Sequence, residues 1–251
     1  MLFIRKSQLL QIAFIHFENR LMADLKAFFP RHCKSMGDEQ THRLIKYGIQ
    51  RAKRHGLETE RELYIYIGLM LMLGSHFDED IQLPWVGEIF KDNRLSTPYV
   101  KIEKIQDTAL AYLDHVWGVQ DEHFKRALAR LRSIQLASLT PQSERMSKER
   151  MMAILKNIHP EKFSTLSESN INLLLQNGAE LAQHHQLTTT SGIIIYIGLM
   201  FVLGGGFSND PQFPWAAEAL GRSNESPEAR AIALYQAALT QLETCVSYQG
   251  E

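Results

Sequence analysis

The clearest pattern in the chain is an apolar run that occurs twice. Leu63 to Gly74 and Ile193 to Gly204 are apolar on nearly every side. A helix of that kind is expected to be buried rather than to lie on a surface. Each run holds about 12 residues, short of the roughly 20 that span a bilayer. The stretch IIIYIG alone would suit a strand, but its partner LYIYIGLMLMLG is rich in the good helix formers Leu and Met. The flanking pattern predicts further helices. Residues 6–28 carry helical apolar spacing and stop before Pro30, and residues 38–55 form a second helix that Gly56 closes. Thr59 and Glu62 are spaced as a capping box that opens a helix over 60–73. A loop over 74–83 leads to Pro84, at the first position of a short helix, and Thr97-Pro98 opens the last one. Alternating β-branched runs are few, so no sheet is expected.

The whole arrangement repeats 130 residues further on. From Leu21/Met151 to Phe90/Leu220 the register holds without a gap, with 25 identities in 70 positions. They include Pro30/Pro160, Gly48/Gly178, His55/His185, Asp80/Asp210, Pro84/Pro214, Trp85/Trp215 and Glu88/Glu218. The period is far longer than that of solenoid repeats. The expected architecture is all-α, with two tandem repeats of about five helices, 1–118 and 141–251. A linker helix falls within 119–140, where Phe124, Leu128, Leu131 and Ile134 share a spacing. Gly68 and Gly198 sit inside the apolar helices, where glycine costs about 1 kcal/mol against alanine. Two arrangements would repay this. Either the two helices cross at these glycines in one pseudo-two-fold core, or each glycine packs within its own copy.

Composition adds limits. At 45% apolar and 22% charged the 251-residue chain is globular. A net charge of -1 gives no global field toward nucleic acid or an acidic membrane. Two cysteines, Cys33 and Cys245, read as reduced thiols of a cytosolic protein. The N-terminal apolar residues precede Arg5 and Lys6, which is not the order of a signal peptide. A cytoplasmic protein without a membrane anchor is therefore expected. The second helix of copy one is basic, with Arg43, Lys46, Arg51, Lys53 and Arg54. Copy two has Leu173, Gln176, Leu181, Gln183 and His184 there. The copies thus share a core pattern but differ on the surface. The basic stripe is either a solvated face or a dock for an acidic partner.

No catalytic constellation emerges. Phe77-Asp78-Glu79-Asp80 lacks the spacing of a calcium loop, and its counterpart Phe207-Ser208-Asn209-Asp210 has one acid. The plainer reading is a solvated loop whose Asp80 and Asp210 bind nearby backbone. Trp85 and Trp215 are either anchors for a partner or lids over the core. His55 and His185 end their helices, where a cation suits the dipole. Cys33 beside His32 has no visible base, and neither HExxH nor GxSxG occurs. The expectation is a protein-binding molecule, monomeric when free, with no enzymatic activity, cofactor or metal. Its candidate binding residues are Phe77, Asp80, Trp85, Phe207, Asp210, Trp215, Arg51, Lys53 and Arg54.

The segments FIRKSQ, FFPRHC, YGI and YIGLMLMLGSHFDEDIQLPW resemble a bacterial family with the pattern YGI…YI.LM..LG..FD.D..LPWA..IL. Its members are encoded beside type VI secretion spike, spike-tip (PAAR-type) and toxic effector genes. Copy two keeps the YIGLM–LG–F–D–PW core but has Asn177-Gly178-Ala179 for YGI and FSND for FDED. The resemblance implies a cytosolic accessory protein, an adaptor or chaperone for a secreted effector or spike-tip protein. The alternative is an immunity protein that neutralises a toxin. No catalytic residues come with it.

Overall fold

The computed structural model describes residues 5–133, 147–222 and 224–247. Among them are twelve α-helices and no strand. The first five are α1 (Lys6–Phe28), α2 (Pro30–Arg54), α3 (Glu60–Leu73), α4 (Pro84–Lys91) and α5 (Pro98–Trp117). Then come α6 (Glu122–Arg132), α7 (Lys148–Ile158), α8 (Pro160–Ser164) and α9 (Glu168–His184). The last are α10 (Thr190–Leu203), α11 (Pro214–Leu220) and α12 (Pro227–Ser247). No helix among the described residues is long and apolar enough to cross a membrane.

Local chemistry sets these boundaries. Thr59 accepts a hydrogen bond from the Glu62 N–H, and the Glu62 carboxylate accepts one from the Thr59 N–H at 2.8 Å. In copy two Thr189 caps Gly192 in the same way at 3.1 Å, and glycine cannot return the bond. Helix α2 is broken at Gly37, whose φ of 76° is open to glycine and strained for other residues. Copy two has Ser167 at that position. There the chain splits into α8 and α9, with Ser167 capping the Asn170 N–H at 3.1 Å.

Two apolar clusters form, one around α3 and one around α10. The close helix approach in each falls at a different glycine from the one expected. A side chain on Gly48 would come within 2.7 Å of both Ile67 Cγ1 and Met70 Sδ, and one on Gly178 within 2.7 Å of Ile197 Cγ1. Nothing lies within 4 Å of a side chain placed at Gly68. At Gly198 the neighbours are Leu131 Cδ1 at 3.5 Å and Ile158 Cδ1 at 3.7 Å, both within copy two's cluster. The two apolar helices therefore do not cross at their central glycines. Helix α6 does more than link: Ala127, Leu128 and Leu131 complete copy two's cluster. The rest of the expected linker, 134–140, lies outside the described residues.

The copies meet instead where α3 and α10 end. Gly74 and Gly204 have φ of 97° and 107°, and their Cα atoms approach closely enough that a side chain on either would touch the other. Across this point corresponding residues exchange the same bonds. Asp80 accepts from the Gly205 N–H, and Asp210 accepts from the Ser75 N–H, both at 2.7 Å. Gln82 donates to the Met200 carbonyl at 3.0 Å, and Gln212 donates to the Met70 carbonyl at 2.8 Å. These bonds tie down the end of the other copy's apolar helix, where the Met70 and Met200 carbonyls also accept from the Gly74 and Gly204 N–H. Such reciprocity is the mark of an isologous contact.

Candidate functional site

The proposed binding residues do not form one surface. Phe77, Phe207, Asp80 and Asp210 are buried. The loops that carry them are not solvated: the aspartates bind backbone of the opposite copy as well as the Gln two residues on. This excludes all four as exposed contacts for a partner. The repeat could have signalled the role, because a buried polar exchange demands that both copies keep Asp and Gln. Gln82/Gln212 is such an identity. Trp85 is half-buried against Tyr112, with ring centroids 6.1 Å apart. Trp215 is half-buried beside Phe213.

Arg51 also departs from expectation. It is 3% exposed and belongs to a closed polar cluster, while Lys53 and Arg54 remain on the surface. Tyr47 and Arg51 of α2 and its C-cap His55 lie four residues apart and so share one face. Arg51 binds Asp78 at 2.5 Å and Glu79 at 2.9 Å, and His55 binds the other Asp78 oxygen at 2.7 Å. Tyr47 meets both Arg51 and His76, and His55 stacks on Phe90 at 3.9 Å. Burial alone would raise the Asp78 carboxyl, but the bonds from His55 and Arg51 outweigh it and hold the group at about 2. The cluster pins the 74–83 loop of copy one to α2. Copy two replaces it with Leu181 and with a Tyr196–Ser208 hydrogen bond of 3.1 Å.

A cavity lies at the seam. It holds about 250 Å³ and draws its wall from α2, α3, α5, α6, α8, α10, α11 and α12. An apolar cavity of about 150 Å³ already admits benzene. Tyr112, Trp117, Phe124, Trp215, Met72 and Leu203 line it. Of the expected binding residues only Asp80 and Trp215 reach its wall; Trp85, Lys53 and Arg54 do not. Over it Ser35 of α2 donates to Gln241 of α12 at 3.2 Å, tying the copies together a second time. The break at Gly37 directs the first turns of α2 here, and Arg31, His32, Ser35 and Met36 all touch the cavity.

Copy two contributes His159 and Lys162, at the positions held by Phe29 and His32 in copy one. His159 is 1% exposed. Its Nδ1 lies 3.3 Å from both the Lys162 N–H and the Glu161 Oε2; in the tautomer that caps α8 by accepting from Lys162, the neutral ring carries its proton on Nε2. That buried atom has no partner within the chain. Burial, then Lys162, pull the imidazole down to about 4, with the Glu161 carboxylate opposing. The Lys162 ammonium lies 5.5 Å over the Phe201 ring and forms no ion pair among the described residues. Burial pulls it down to about 8, with Asp80 opposing. Neither residue was legible in the sequence, since neither matches its counterpart.

The imidazole gives a pH prediction. Its folded pKa lies below the unfolded value, so the unfolded chain takes up the proton first as pH falls. Stability from this group is whole above about 6.5 and declines as pH falls toward 4. In urea titrations His159→Phe should abolish about 2 kcal/mol of the loss between pH 7 and 5. An unchanged pH slope would show that the ring is freely hydrated.

No known protein family, curated protein or solved structure matches this chain.

Proposed function

We propose that this chain is a cytosolic accessory protein, an adaptor or chaperone, that holds an apolar segment of a secreted effector or spike-tip protein in the seam cavity. The observation that carries the reading is the cavity itself: aromatic rings and methionines gathered between two copies. Aromatic residues and Met are enriched where proteins bind one another. Met36 and Met72 line the space, and their flexible thioethers adapt to more than one guest. The resemblance to a family encoded beside type VI secretion genes supplies the class of partner.

The test is co-expression with the product of the neighbouring effector or spike-tip gene, using the toxic domain and the non-toxic region separately. Capture of the non-toxic or spike-tip region is expected. Met72→Trp, which fills the cavity, should abolish it while helical circular dichroism and a cooperative melt are retained. Capture of the toxic domain with loss of its activity would mean immunity instead. Capture that survives Met72→Trp would place the partner elsewhere.

A further inference from the structure

The geometry points to a guest with a free carboxylate: the seam cavity takes the C-terminal residue of a partner chain, its apolar side chain among the aromatic rings and its carboxylate on Lys162 and His159. The inference rests on the reading that the cavity holds a partner segment, and adds the chemistry of that segment.

Two donors stand ready in the wall. His159 Nε2 is buried without a partner; in the tautomer that caps α8 it is a donor, and a buried unpaired donor is a standing cost that an acceptor would remove. The Lys162 ammonium rests on a ring rather than on a carboxylate. The two are close enough that the lysine depresses the imidazole pKa. An anion at this place would satisfy both. Asp80 also lines the cavity, but its oxygens are engaged by the Gly205 N–H and by Gln82. Along the wall Asp80 and Asp121 face three cations, Arg31, Lys125 and Lys162, while the Glu161 carboxylate sits at Nδ1 of His159 rather than at Nε2. An apolar group with a carboxylate beside it matches this wall, and a polypeptide chain end places the two on one residue.

Copy one explains why the arrangement is single. Phe29 stands where copy two has His159, and His32 where it has Lys162. The pseudo-symmetric partner of this anion site therefore lacks both groups, and one guest per chain is expected.

The test uses acetyl-Gly-Leu-Phe as free acid and as amide, with octanoate as a third probe, titrated calorimetrically into the full chain. The acid should bind at least about tenfold more tightly than the amide, the effect of one charge-assisted hydrogen bond. In Lys162→Met that ratio should fall to about one with amide binding unchanged, and Met72→Trp should remove both. Removal of a desolvated charge should also raise the Tm of the ligand-free Lys162→Met protein, whereas a lysine that merely braces the fold would lower it. Equal binding of acid and amide by the wild type, abolished by Met72→Trp, would overturn the carboxylate while leaving the cavity as the binding site. Binding of neither peptide would overturn the chain-end guest, and octanoate binding more tightly than the peptide acid would assign the site to free amphipathic acids.

Discussion

Asp210→Ala is expected to cost the folded protein about 4 kcal/mol. The carboxylate accepts from the Ser75 N–H at 2.7 Å, the Ser75 hydroxyl at 2.5 Å and the Gln212 N–H at 2.9 Å. All of these groups are buried. Truncation leaves them without acceptors, and each unpaired buried donor costs about 1–3 kcal/mol. Burial works against the charge by pushing the Asp210 carboxyl upward, and its hydrogen bonds oppose that push. Asp80→Ala should cost less, about 3 kcal/mol, because its counterpart of Ser75 is Gly205 and brings no hydroxyl. Denaturant titrations would measure both. A loss under about 1 kcal/mol in Asp210→Ala would mean that water enters the seam and replaces the carboxylate.

Arg51→Leu should cost a similar amount, about 3–5 kcal/mol, because it strands the buried Asp78 carboxylate. The companion experiment is the double variant Arg51→Leu with Asp78→Ser, which installs in copy one the pair that copy two already uses. Replacing both members of a buried ion pair by well-packed neutral groups is often close to neutral. The hydroxyl introduced at position 78 would accept from Tyr66, as Ser208 does from Tyr196. His55 would keep its stack on Phe90 and, being half-buried, reach water. The double variant should therefore recover most of the stability lost by the single one. If it were as unstable as Arg51→Leu alone, the cluster would be holding the loop through Tyr47 and His76 rather than through the ion pair.

Most of the fold could be read from the chain because it is local chemistry repeated. Apolar runs too short for a membrane, a capping box at Thr59/Glu62 and prolines at first helical turns each fix an element without tertiary information. What could not be read was the direction in which polar groups point. Asp80 and Asp210 have the local signature of loop residues bonding their own backbone, and they do bind the Gln two residues on. Their strongest partners lie 125 and 135 residues away, which no local pattern encodes. Gly68 and Gly198 drew attention by sitting in the apolar helices, yet closeness is set by Gly48 and Gly178 on the helices beneath. Arg51 looked like one member of a basic stripe. Its spacing of four from Tyr47 and from His55 marked a face, but burial of that face follows only once the 74–83 loop folds over it. His159 and Lys162 gain their character from a cavity made of eight helices, and no spacing in the sequence brings those together.

The chain has three tryptophans, and they stand in different places relative to the seam. Trp117 and Trp215 line the seam cavity and Trp85 does not. Fluorine NMR of the protein labelled with fluorotryptophan, titrated with the captured non-toxic or spike-tip region, reads the three indoles separately. Occupation of the cavity predicts that the Trp117 and Trp215 resonances shift to saturation while that of Trp85 stays in place. Saturating capture with Trp117 and Trp215 unmoved would contradict the seam cavity as the binding site.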